Sequence, residues 1–195
     1  IALWEKCHLV TANGPLMVTL GGSDAYTAGQ FFKGLTTDAW QGPLALPAGR
    51  KLTTVVPGQA EGPIVGGNLT VLTSLVGTPY ALDGTGCILV LEDTGEDAYR
   101  IDRMLNQLWQ SGLLSRVAAI AYGDFTDCPN DPGDFTTDQV LDYYAHLAGK
   151  PAIKGLPVGH TKDKAFVPYG VKVRLDADGE GASLTFIDVC GIRPL

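Results

Sequence analysis

Glu92 and His160 are the two residues whose type and placement could do chemistry. Glu92 closes the apolar run "CILVL" at positions 87–91. His160 follows Gly155-Leu156-Pro157-Val158-Gly159, a loop at the end of a shorter apolar run. A strand fixes the position of its last residue, while the open end of the sheet admits a ligand. The two residues are 68 positions apart. If their strands are parallel neighbours, both side chains emerge on one edge of the sheet. A carboxylate bonded to one imidazole nitrogen fixes the tautomer and leaves the other nitrogen to act as a base. Taken singly, the same residues read as a solvated strand-end acid and a loop histidine.

The other chemistry-bearing residues read more plainly. His8 opens a strand and His146 lies in a helical pattern, and both read as structural. Asp93 and Glu96 read as a solvated turn. Arg100 and Arg103, three apart on one helical face, can pair with these acids or receive a substrate carboxylate. Asp124, Asp127, Asp131 and Asp134 lack the alternate-residue ligands and closing glutamate of a calcium loop, and read as a polar loop. No second histidine accompanies His160 at metal-ligand spacing, so a metal hydrolase is a weak reading. Cys7, Cys87, Cys128 and Cys190 fit no zinc or redox spacing and read as buried free thiols. Among the serines, Ser23 is the candidate nucleophile. "MVTLGGSDAYTAG" reads as strand, tight turn and helix, the arrangement on which hydrolases expose a serine.

The elements that must position these groups follow from periodicity. Residues 1–40 read as a helix, a short strand at His8–Thr11, a turn at Asn13-Gly14-Pro15 and a helix near Asp24–Leu35. The Pro/Gly-rich stretch 41–50 reads as a linker or irregular crossover between a remnant of one domain (1–40) and a second domain (51–195). "KLTTVV" is a strand, and "GGNLTVLTSLVGTPY" a Gly-opened helix. "CILVLED" and "VAAIAYGDF" are strands buried on both faces, each followed by an amphipathic helix. Asp97 is placed to cap the first of those helices. "AIKGLPVGH" is a short strand and loop, and "GVKVRLDAD" with "ASLTFIDV" a terminal antiparallel pair. The pattern is α/β with a mixed sheet and flanking helices. A net charge of −7 works against sequence-independent binding to nucleic acid or anionic membrane, and no apolar run has bilayer length.

Taken together, "GGNLTVLTSLVGTPY", "ILVLEDTGEDAYRIDRMLNQL", "AIAYGDFTDC" and "GLPVGH", in this order and at these separations, resemble the LD-carboxypeptidase family, serine peptidases that include the microcin-immunity peptidases. The likeness runs from about Leu3 to the C-terminus. It implies a Ser–Glu–His triad with Glu92 and His160 as two of its members. In the family the serine lies in a Gly-x-Ser-Asp turn upstream of a helix and an "LVTxxGP" segment, which here resembles "LWEKCHLVTANGP" at 3–15. The serine is therefore expected before Ile1, and Ser23 falls too late in the chain. The resemblance further implies a cytoplasmic homodimer that removes the terminal D-alanine of murein tetrapeptides and requires no metal or organic cofactor. Gly67 and Asn68 are expected to line the cleft, the helix start there attracting the peptide carboxylate. A microcin-immunity-type peptidase and a non-catalytic peptide- or glycan-binding module are the alternatives.

Overall fold

The run Ile88-Leu89-Val90-Leu91 sorts its side chains by the two-residue period of a strand. Ile88 and Val90 enter one hydrophobic core, Leu89 and Leu91 another, and all four are fully buried. Burial on both faces stabilises by roughly 1.5–3 kcal/mol per large side chain and makes this run the centre of the sheet. A computed structural model of the chain describes residues 1–36, 41–129, 133, 135–178 and 181–187. It begins with α1 (Ala2–Cys7), β1 (Thr11–Asn13), α2 (Met17–Leu20), α3 (Ala25–Thr36), β2 (Gly42–Pro43) and β3 (Thr53–Val56). There follow β4 (Gln59–Asn68), α4 (Leu69–Ser74), β5 (Ile88–Thr94), α5 (Ala98–Gln110), α6 (Leu113–Arg116) and β6 (Ala119–Thr126). The last elements are α7 (Thr137–Ala148), β7 (Ala152–Lys154), β8 (Val167–Tyr169), β9 (Lys172–Asp176) and β10 (Ser183–Phe186).

Among the described residues the main sheet runs β2-β10-β9-β4-β5-β6-β7-β3, and β1 pairs with β8 separately. The central β4, β5, β6 and β7 are parallel and the outer pairings antiparallel, so the expected mixed sheet with flanking helices is the observed architecture. Ile101, Leu105 and Leu108 place α5 on one face, beside Leu69 and Leu72 of α4. A capping box between Thr136 and Gln139 starts α7, and Gly149 ends it in the left-handed conformation. No helix among the described residues is long and apolar enough to cross a membrane.

Several local readings change. The ten-residue β4 was not legible, because Gly62, Pro63, Gly66 and Gly67 look like strand breakers. Gly66 instead permits close approach: a Cβ there would collide with the Val90 carbonyl of β5, and its φ of 138° disfavours any L side chain. "MVTL", expected as a strand, is the short helix α2, so Ser23 sits in a helix-to-helix turn. Asp97 holds the N-cap position of α5 but makes no cap bond, and its carboxylate pairs with Arg100. Cys7 is exposed and Cys128 half-buried, while Cys87 is buried and burial pushes its thiol up to about 11. Cys190, Asp131, Asp134 and part of the Asp178-Gly179 turn lie outside the described residues. The stretch 41–50 is held to the sheet through β2 and a Leu44 N–H bond to the Leu184 carbonyl.

Candidate active site

The parallel sheet carries Glu92 and Asp93 to the same edge, and the pleat sends them to opposite faces. Asp93 points to the helix side. It is 2% exposed and accepts from Thr70 N–H (2.9 Å), Thr70 Oγ1 (2.9 Å), Asn68 Nδ2 (2.7 Å) and its own neighbour Thr94 N–H (2.9 Å). The reading of Asp93 as a solvated turn residue is thus corrected. Asn68 Oδ1 accepts the Val71 N–H at 3.0 Å and caps α4. The helix start expected to receive a peptide carboxylate already holds an internal one, that of Asp93.

Glu92 points the other way, toward the loop after β7. Opposite it, β6 inserts one extra residue: Leu91 faces Tyr122, whereas Asp93 faces Phe125. This bulge at Gly123-Asp124 opens room beside Glu92 and bonds back to the loop through Asp124 N–H and the Val158 carbonyl (2.8 Å). Gly159, with φ 137°, then lets the chain pass over the carboxylate; a Cβ there would lie 3.2 Å from Glu92 Oε2 and 3.0 Å from the Asp124 carbonyl. The next residue, His160, sets Nδ1 3.0 Å from Glu92 Oε2. Glu92 is 4% exposed, whereas the His160 side chain is 53% exposed. With Nδ1 engaged, the outer edge of the ring carries Nε2 toward solvent and the cleft.

Burial pushes the Glu92 carboxyl above its ordinary range, and the nearby Asp93 charge adds to this. The bonds from His160 and Asn68 favour the charged form but do not offset burial. A buried carboxylate bonded to a ring nitrogen is well suited to hold an imidazole in one tautomer and to stabilise it once protonated. Among the described residues no group of histidine, cysteine, aspartate and glutamate is arranged to hold a metal ion.

Two long-range clamps hold the loop that carries His160. Arg50 donates from Nε to the Gly155 carbonyl (2.7 Å), and from one terminal nitrogen to the Leu156 carbonyl (3.0 Å) and Asp124 (2.6 Å). Thr27, 1% exposed, receives the Lys164 N–H at 2.9 Å and donates to the Lys162 carbonyl at 3.1 Å. Nothing in the sequence marks either residue, because each acts across more than 100 positions. His160 opens onto a cleft of about 320 Å³ whose wall includes Thr19, Ser23, Thr27, Lys162 and Lys164. The Ser23 hydroxyl donates to the Leu20 carbonyl at 2.7 Å. His8 packs edge-on against Trp4 and His146 bonds the Asp142 carbonyl, both far from this chemistry in role. Arg100 pairs with Glu96 and Asp97 on the surface.

Residues 61–175 match the family described as LD-carboxypeptidase C-terminal domain. The chain belongs to the LD-carboxypeptidase family. A probable murein peptide carboxypeptidase of Bacillus subtilis is 44% identical over 127 residues, covering 64% of this chain and 40% of that protein. The crystal structure of a muramoyltetrapeptide carboxypeptidase from Oxalobacter formigenes superposes with a TM-score of 0.79 at 30% identity, over 96% of this chain and 64% of that one. The Escherichia coli microcin C7 self-immunity protein MccF is 33% identical over 138 residues, covering 66% of this chain and 38% of that protein. The LD-carboxypeptidase chain described here thus spans less than two thirds of the length of these relatives.

Proposed function

We propose that this chain supplies the Glu92–His160 half of a Ser–Glu–His triad that releases the terminal D-alanine of murein tetrapeptides. The observation that carries the reading is the 3.0 Å Glu92–His160 contact, with the carboxylate buried and the imidazole facing a cleft. In this mechanism His160 Nε2 takes the proton of a serine hydroxyl as its oxygen attacks the L,D amide carbon. Collapse of the tetrahedral intermediate breaks the C–N bond, and Nε2 returns the proton to the leaving amine. Water then attacks the acyl-enzyme with the same nitrogen as base, restoring the serine. Glu92 stays hydrogen-bonded to Nδ1–H throughout and stabilises the imidazolium.

The serine and the oxyanion donors belong, in this proposal, to sequence outside residues 1–195. Ser23 lacks the strand-to-helix turn that exposes a nucleophile, and its hydroxyl is committed to Leu20. Gly67, paired in register with Leu91, has room for a Cβ but is buried and does not line the cleft at His160, so a direct contact with the peptide is not part of this proposal. Asn68 serves by holding Asp93 and the start of α4.

The test pairs an activity assay with labelling. The longest natural form of the protein is given murein tetrapeptide and an acyl-aspartyl nucleotide analogue, and is separately treated with a fluorophosphonate. D-Alanine release and a labelled serine outside residues 1–195 are expected. A label on Ser23 would overturn the assignment of the nucleophile. Turnover of the nucleotide analogue alone would move the protein to the microcin-type reading, and binding without any turnover to a non-catalytic module.

A further inference from the structure

An enzyme that removes a single terminal residue must read a free carboxylate next to the bond it cuts. The amine that receives the His160 proton and the carboxylate of the departing residue share one Cα, so they lie within about 4 Å of each other. A cation that reads that carboxylate has to stand beside His160. In a chain of net charge −7, the cleft at His160 is lined by two lysines and by no acid.

The two lysines are not equivalent. Neither makes an ion pair among the described residues, but Lys162 lies within the electrostatic reach of Asp24 and Asp163, so its charge is partly answered within the protein. Lys164 has no ion-pair partner among the described residues. Its backbone is fixed by the bond from its N–H to buried Thr27. The loop therefore presents His160 and Lys164 to one cavity from a single pinned segment. We propose that Lys164 is the specificity residue that receives the free α-carboxylate of the departing D-amino acid. This inference rests on the carboxypeptidase reading above and names what selects its substrate. The ammonium donates to the carboxylate at the end of a flexible four-carbon stem, on a cleft wall it shares with His160.

The experiment is calorimetric titration of the 195-residue chain with murein tetrapeptide and with the same peptide as its C-terminal carboxamide. The acid is expected to bind about 10-fold or more tightly than the amide, the usual worth of a hydrogen bond to a charged group. Lys164→Gln is expected to bring the acid down to the amide's affinity, and Lys164→Arg to keep the preference. Equal binding of acid and amide, or a folded Lys164→Gln protein that still prefers the acid, would overturn the subsite. If Lys164→Gln lowers the melting temperature sharply, the salt dependence of the wild-type preference decides. A preference that shrinks with ionic strength supports a charge-reading site, and one that does not shrink overturns it. Binding of neither peptide also overturns the subsite, because the wall that forms it lies within residues 15–164. The triad stands or falls separately, on D-alanine release and the labelled serine.

Discussion

Adjacent carboxylates with the same sequence appearance do opposite work at the end of β5. Asp93 ties the strand to the start of α4 through three hydrogen bonds, and Glu92 reaches the imidazole of His160. Asp93→Ala leaves the Thr70 and Thr94 amides without their acceptor in a part-buried setting. It is expected to cost about 2–4 kcal/mol in urea or thermal unfolding. Glu92→Gln separates stability from activity. D-Alanine release is expected to fall by ~10³-fold or more, as when a triad loses the charge that orients its histidine. Because the folded carboxyl is raised above its ordinary value of 4.5, its stabilising contribution is complete below that pH and is lost as pH rises through the folded value. The melting temperature of Glu92→Gln relative to wild type should therefore climb as pH increases from about 4 to 8. A relative fall over that range would contradict the sign of the shift. The role proposed for Glu92 was readable from a continuous apolar run ending in an acid. The role of Asp93 was not, since nothing in a Glu-Asp pair says which way the pleat will send each residue.

At the scale of elements, the loop from Gly155 to Lys164 is positioned less by its own sequence than by two distant side chains. Thr27→Val removes both bonds that hold residues 162 and 164 while keeping the side-chain shape. It strands the Lys164 amide, a loss of about 1–3 kcal/mol. It is expected to lower kcat with a smaller change in the overall fold, and Thr27→Ser should restore most of the loss. Hydrogen exchange at Lys164 separates this positioning role from general destabilisation: its amide should lose protection ahead of those in β5. Gly159→Ala places a methyl group against Glu92 and Asp124 in a backbone conformation that disfavours it. Activity should drop at least about 10-fold even where a melt shows the protein folded. The His-bearing loop was legible from its glycines. Its clamps were not, because Arg50 and Thr27 sit in stretches whose local patterns show only a crossover and a helix. The missed strand β4 has a similar origin: Gly66 serves the close approach of β5 rather than a turn.

Across the whole molecule, order is graded from the parallel centre outward. The strands β4, β5 and β6 are buried on both sides by the two cores, whereas α1 and α2 contain no buried residue. Amide exchange should accordingly be slowest in β5 and fastest in the first 20 residues, by several orders of magnitude. Uniform protection across the chain would contradict this gradient. The α/β class and the mixed sheet were readable from strand and helix periods. The separate β1–β8 pair was not, since its short strands gain their partners only through the fold. The cleft has two kinds of wall. The proton-handling pair is embedded in the central sheet, while residues 15–27 approach from outside it and meet the pinned loop through one buried hydroxyl. Apart from Thr27, the residues of that outer wall make no hydrogen bond to the inner pair or its loop among the bonds described above. Over evolutionary time such a division lets lineages change what they cleave while inheriting, unaltered, how they cleave it.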